Sequence, residues 1–139
     1  MIKHTIIAAV LAAMPVASTA LAGTAAPEGA VLYIAAPADG ATVTAPFTVR
    51  FGLKGAGVAP AGVEKAGTGH HHLLINTAVP NLGEPIPSDD NHRHFGGGQT
   101  EAEINLAPGQ HTLQLLLGDH NHIPHTPPLM SRKITVTVK

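Results

Sequence analysis

Apolar positions in this chain recur at every second residue, the period of a half-buried strand, and nowhere after residue 22 at the three-to-four spacing of a helix. The cleanest case is the C-terminal run "RKITVTVK". Ile134, Val136 and Val138 fall on one face there, Thr135 and Thr137 on the other. Similar runs, bounded by Gly, Pro, Asp and Asn, occur at 30–37, 46–54, 71–77, 100–106, 111–120 and 132–139. The connections carry turn chemistry, notably "PADGATV" after the first run and "APGQ" between the fourth and fifth. Residues 79–98, "VPNLGEPIPSDDNHRHFGGG", show no clear period, and a structureless stretch of that length inside a small domain marks a functional loop with room for one short strand. Counting that strand, the pattern predicts an all-β fold: a single immunoglobulin-like, Greek-key β-sandwich of about seven strands, of the constant type. The cysteines and tryptophan that mark antibody domains are missing, so the expectation rests on strand number and spacing.

The first 22 residues follow another pattern. A basic start at Lys3 and His4 leads into an apolar stretch from Ile6 to Val16 and ends in Ala20-Leu21-Ala22, the shape of a secretory signal peptide. Taking 1–22 as that signal leaves a flexible N-terminus at 23–29 and one domain over 30–139, exported to the periplasm with no membrane span once the signal is cut. The chain contains no cysteine, so an exported domain of this kind has neither a disulfide nor a thiolate ligand. Beyond the signal, Met130 is the only methionine, and any site for a soft metal is left to it and to histidine. The whole chain carries a formal charge of −1 and few aromatic residues, without a basic stripe, which argues against a nucleic-acid partner.

Histidine is where the composition departs most from the ordinary: ten residues of 139. Eight of them gather in "GTGHHHLLINT", "NHRHF" and "LLLGDHNHIPHTPP". In the expected sandwich the third, sixth and seventh strands share a sheet and neighbours run antiparallel. The strand beginning at His71 then starts at the end where the "LQLLLGDH" strand finishes, and the 79–98 segment returns to that same end. Leu113, Leu115 and Leu117 take the core face, as do Leu73 and Ile75 with His71. His70 and His72, and His120 and His122 if the pleat persists, fall on the outer face, with Leu74 and Leu116 beside them in need of a cover that the 79–98 loop can supply.

Three pairs have the i, i+2 spacing that turns two imidazoles to one side of a strand: His70/His72, His92/His94 and His120/His122. With His125 they make the candidate metal ligands, and Asp119, Asn121 and His71 the residues that could orient them. A set rich in imidazole and free of thiolate suits copper first, by the Irving–Williams order, with zinc as the alternative. The competing reading of the same residues is a loop-anchoring hydrogen-bond network with no metal. His71 reads as a buried core histidine, and His111 as an ordinary strand-end residue on the order of 25–30 Å away.

Other chemistries find little support. "SDDN" lacks the spacing of a calcium loop, "GGG" has no helix after it to cradle phosphate, and no G-x-S-x-G elbow exists. Glu101 and Glu103 read as solvated carboxylates on a strand. Cleavage after Ala22 exposes Gly23, so a histidine brace at the N-terminus is excluded.

The blocks "GTGHHHLLIN", "HFGGGQTE" and "LAPGQHTLQLLLGDHNHIPHTPPLMSRKITV", in that order from Gly67 to Val138, resemble a bacterial family of exported small domains, the domain of unknown function 4399. That resemblance implies an exported single domain with these histidine blocks as its signature and implies no activity. The functions the sequence leaves in play are a periplasmic metal-binding protein for storage, delivery or sensing, with a metal ion and a second periplasmic protein as candidate partners; a structural or interaction module; and a copper or zinc oxidoreductase. An enzyme is the least favoured, since no open coordination position can be read from the residues.

Overall fold

The structure, a computed structural model, describes residues 14–15 and 23–139. Most of the expected signal, 1–22, therefore lies outside the described residues. No helix occurs among the described residues, and none is long and apolar enough to cross a membrane.

Among the described residues nine strands form, β1 (Val31–Ala36), β2 (Thr42–Val43), β3 (Phe47–Lys54), β4 (Gly57–Val58), β5 (Thr68–Ile75), β6 (His92–Phe95), β7 (Glu101–Ile104), β8 (Gly109–Gly118) and β9 (Ile134–Val138). They make an all-β sandwich. One sheet runs β1-β3-β7, and the other runs β2-β9-β8-β5, with β4 and β6 both on the free edge of β5. Each of the seven expected runs yields a strand. The two additional strands, β2 and β4, are only two residues long and pair in parallel with β9 and β5.

The third, sixth and seventh expected strands, β5, β8 and β9, share a sheet with antiparallel neighbours. The fourth does not follow the constant-type order, which would set it beside the first, second and fifth. Instead β6 pairs antiparallel with β5, placing His94 opposite His72 and His92 opposite Leu74. The reason is local. Asn91, at the entry to β6, bonds back to the end of β5: its side-chain amide donates to the Ile75 carbonyl (2.8 Å), and Ile75 N–H donates to the Asn91 carbonyl (2.8 Å).

The core lies between the sheets. Leu32, Phe47, Val49, Phe51 and Ile104 pack from the three-stranded sheet against Leu73, Ile75, Leu113, Leu115, Leu117, Leu129, Ile134, Val136 and Val138. A second, smaller apolar cluster forms on the outer face of the other sheet, where Leu74 and Leu116 are covered by Val79 and Ile86 from the long loop between β5 and β6. The loop is the lid that two outward-facing leucines required, and its placement keeps β5 dry on both faces. Residues 23–29, expected as a flexible N-terminus, are tied down at their start: Ala26 N–H donates to the Thr126 carbonyl (3.1 Å) and Thr126 N–H to the Thr24 carbonyl (2.9 Å).

Leu115 has no exposed surface and stands at the centre of the main core. Leu115→Ala should therefore destabilise the domain by about 2–5 kcal/mol in urea unfolding. A loss under about 1 kcal/mol would contradict this core assignment.

Candidate metal centre

β5 is buried from Gly69 to Ile75, an unusual setting for three consecutive histidines. Its pleat separates them. His71 turns into the sandwich and stacks against Phe51, ring centroids 5.0 Å apart. His70 and His72 turn to the outer face, fully buried, with their ring centroids 4.7 Å apart. From the other edge, β6 brings His94 directly opposite His72, centroids 5.1 Å apart.

The fourth imidazole arrives by a different route. β8 ends at Gly118, which is paired with His70, and the chain then closes a tight loop: His122 N–H donates to the Asp119 carbonyl (2.9 Å) and Asp119 N–H to the Ile123 carbonyl (2.8 Å). His122 adopts φ of +65°, a left-handed conformation uncommon for a residue with a side chain. That turn swings its ring over the sheet, where Nδ1 comes within 3.1 Å of His70 Nε2. Glycine is required at 118, because an added Cβ would sit 2.8 Å from His72 Cε1 and 3.3 Å from His122 Cα.

His70, His72, His94 and His122 thus converge. One donor nitrogen from each lies within 4.8 Å of all the others, and His70 Nε2 is also 3.2 Å from His94 Nε2. A tetrahedral ion with metal–nitrogen bonds of roughly 2.0–2.1 Å sets its ligands roughly 3.3 Å apart, so this spacing is compatible with metal binding after a small contraction. His70 and His72 form a buried floor. His122 is half-buried and His94 exposed at the rim. Both ring nitrogens of His72, and Nδ1 of His70, have no hydrogen-bond partner although they are fully buried.

Burial and mutual repulsion favour the neutral form of His70, His72 and His94. Burial, then the neighbouring His122 and His94, lowers His70 to about 4. Burial, then His70, His94 and His122, lowers His72 to about 3. His94 is also lowered, by burial first and His122 second. Neutral imidazole is the form that donates to a metal, so these rings need release no proton near neutral pH.

The remaining candidates stay outside the cluster. His92 lies one pleat further along β6, over Leu74, with Nδ1 2.8 Å from Asp89 Oδ1. That contact is the main reason the Asp89 carboxyl sits below its usual range. His120 falls beyond the end of the pleat, meets Asn121 Nδ2 through Nε2 (3.0 Å), and faces a cleft of about 140 Å³ shared with Thr24, Glu64, Lys65 and Asp119. His125 is buried, and its Nε2 lies 3.0 Å from the Thr68 carbonyl, tying its loop to β5. His111, at the far end of β8, meets Asn76 Nδ2 (2.9 Å) and the Ala107 carbonyl (2.7 Å).

Of the residues considered as orienting groups, none bonds a ring of the cluster. Asn121 serves His120. Asp119 instead builds the loop, with Oδ1 accepting from Asn121 N–H (2.9 Å) and Ile123 N–H (3.0 Å). Burial alone would raise its pKa, but these bonds and those from Thr24 hold it below the usual carboxylate range. His71 is on the opposite face of the strand, lowered to about 4 by burial and only partly offset by the backbone at Gln99. Met130, half-exposed on the strip that pairs with Leu116, takes no part.

Fold and site together define an all-β sandwich with a four-histidine cluster at one end of its larger sheet. The chain belongs to the family described as Domain of unknown function (DUF4399), whose profile matches residues 49–139. The match takes in every member of the cluster and extends back into β3. Searches of curated proteins and of solved structures return no match.

The lowered histidines fix the pH response of the metal-free protein. The unfolded chain protonates its histidines near 6.5, whereas folded His70 and His72 do so only at about 4 and about 3. Acid therefore favours the unfolded chain across that interval, by at most about 1.4 kcal/mol per pH unit for each histidine. The melting temperature without metal should fall steadily from pH 6.5 towards pH 4, and less steeply in His72→Leu. A His72→Leu slope equal to that of wild type would contradict this origin.

Proposed function

We propose that this domain is an exported, periplasmic metal-binding protein that holds one transition-metal ion between His70, His72, His94 and His122, copper(II) by preference and zinc(II) as the alternative, in metal storage, delivery or sensing. One observation carries the reading. Four donor nitrogens lie within 4.8 Å of one another around a buried His72 whose two ring nitrogens have no partner. Leaving such a group dry and unbonded costs about 1–3 kcal/mol, and a bound ion would supply the missing partner.

The donor chemistry supports the preference. Four neutral nitrogens with no thiolate or carboxylate among them suit the borderline ions copper(II), nickel(II) and zinc(II), and copper(II) stands highest in that series. The rim position of His94 and His122 leaves the ion a path in and out, which favours exchange over a purely structural metal. The leader-like stretch at 1–22 supports export, and fractionation of the native cells tests it.

The second reading, a hydrogen-bond network that anchors loops, is favoured at three other histidines. His92, His111 and His125 each hold a neighbouring backbone or side chain and lie outside the cluster. Within the cluster the two readings diverge in calorimetry. Titration with copper(II) and zinc(II) should give one equivalent, bound more tightly than by a hexahistidine peptide. His72→Ala should weaken it at least about 100-fold, or about 2.7 kcal/mol, and His125→Ala should leave it within a few-fold. Wild-type binding no tighter than the peptide, or His72→Ala melting lowered equally with and without metal, would favour the network.

A further inference from the structure

We propose that residues 23–26 form a strap that positions His122 in the histidine cluster by clamping Asp119, with Thr24 and Asp119 as positioning residues that never touch the ion. For its affinity readout this rests on the metal-binding reading.

The need for such a device lies in His122 itself. Its left-handed backbone is disfavoured for a histidine and persists only where the surroundings over-determine it. One side of the loop is held from the lid, where Ile86 N–H donates to the His122 carbonyl (2.8 Å). The other side is held by the Asp119 carboxylate, 4% exposed, which bonds the N–H groups of Asn121 and Ile123 on either side of His122.

That carboxylate is in turn fixed by the strap. Its second oxygen accepts from Thr24 Oγ1 (2.9 Å) and from Thr24 N–H (3.3 Å). Thr24 itself is held in place by the parallel pairing of Ala25 with Thr126, and Gly23 packs so closely on the Pro124 carbonyl that an added Cβ would overlap it. The strap thus grips both ends of the loop, Asp119 at its start and 124–126 at its end. Bonds to an ionised carboxylate are among the stronger ones, so loss of the Thr24 hydroxyl should loosen the loop without unfolding the sandwich.

Two measurements on the full-length chain test this. In metal-free protein the ring-to-ring nuclear Overhauser contact between His70 and His122 should be present in wild type and Thr24→Ser and lost in Thr24→Val. With copper(II), Thr24→Val should weaken binding roughly tenfold in the wild-type background and not at all in a His122→Ala background, because a residue acting through His122 has nothing left to position.

Several results would overturn the strap. They are a retained His70–His122 contact in Thr24→Val, equal weakening in both backgrounds, or a lower melting temperature with unchanged affinity. Failure of wild type to bind copper would sink the metal-binding reading instead, and the ring contact in metal-free protein would still decide whether the strap sets His122. Asp119→Asn provides a second variant on the same oxygen, expected to act in the same direction as Thr24→Val.

Discussion

The burial of β5 on both of its faces is the constraint from which the rest of the molecule follows. A strand with one wet face would let His70 and His72 bond to water, and nothing further would be required of them. Here the core sheet covers Leu73 and Ile75 on one side, and the loop carrying Val79 and Ile86 covers Leu74 on the other. Strict pleat alternation then leaves His70 and His72 under cover on the outer face, and burial forces them to be neutral. Buried imidazole nitrogens without a partner, both of His72 and Nδ1 of His70, are a cost that hydrophobic packing alone does not explain. They are also the state in which a histidine is ready to bind a transition metal.

Around that floor the fold supplies donors with different freedom. Two come from β5, bonded on both edges, one from a short edge strand, and one from a loop set by a left-handed residue. In the proposed centre the floor fixes where the ion sits, and the rim decides how readily it enters and leaves. A site meant only to hold the fold together would be closed on all sides. The histidines at 92, 111 and 125 serve instead as hydrogen-bonding posts to neighbouring groups and lie apart from the cluster.

Much of this was legible in the residues because alternation is a strong signal. Leu113, Leu115 and Leu117 announced the core face of β8, and counting by twos from Leu73 put His70 and His72 outside it. Two outward leucines, Leu74 and Leu116, announced the need for a lid. Alternation fails where the strand ends. The pleat stops at Gly118, so equal spacing gives no hint that His122, at φ of +65°, turns to the cluster while His120 turns to a separate cleft. His92 shares a strand face with His94, but register, which sequence spacing does not specify, sets it one step too far along β5. The sheet chosen by β6, and the two-residue strands β2 and β4, depend on backbone bonds between distant segments and leave no composition signal.

Whether four imidazoles enclose one ion is read directly by X-ray absorption on the copper-loaded protein. Four imidazoles on one ion should give a first shell of about four nitrogens near 2.0 Å with the outer-shell scattering of imidazole rings, reduced by one ring in His94→Ala and unchanged in His120→Ala. A shell of fewer than three imidazoles, or one that loses a ring in His120→Ala and none in His94→Ala, would contradict that arrangement.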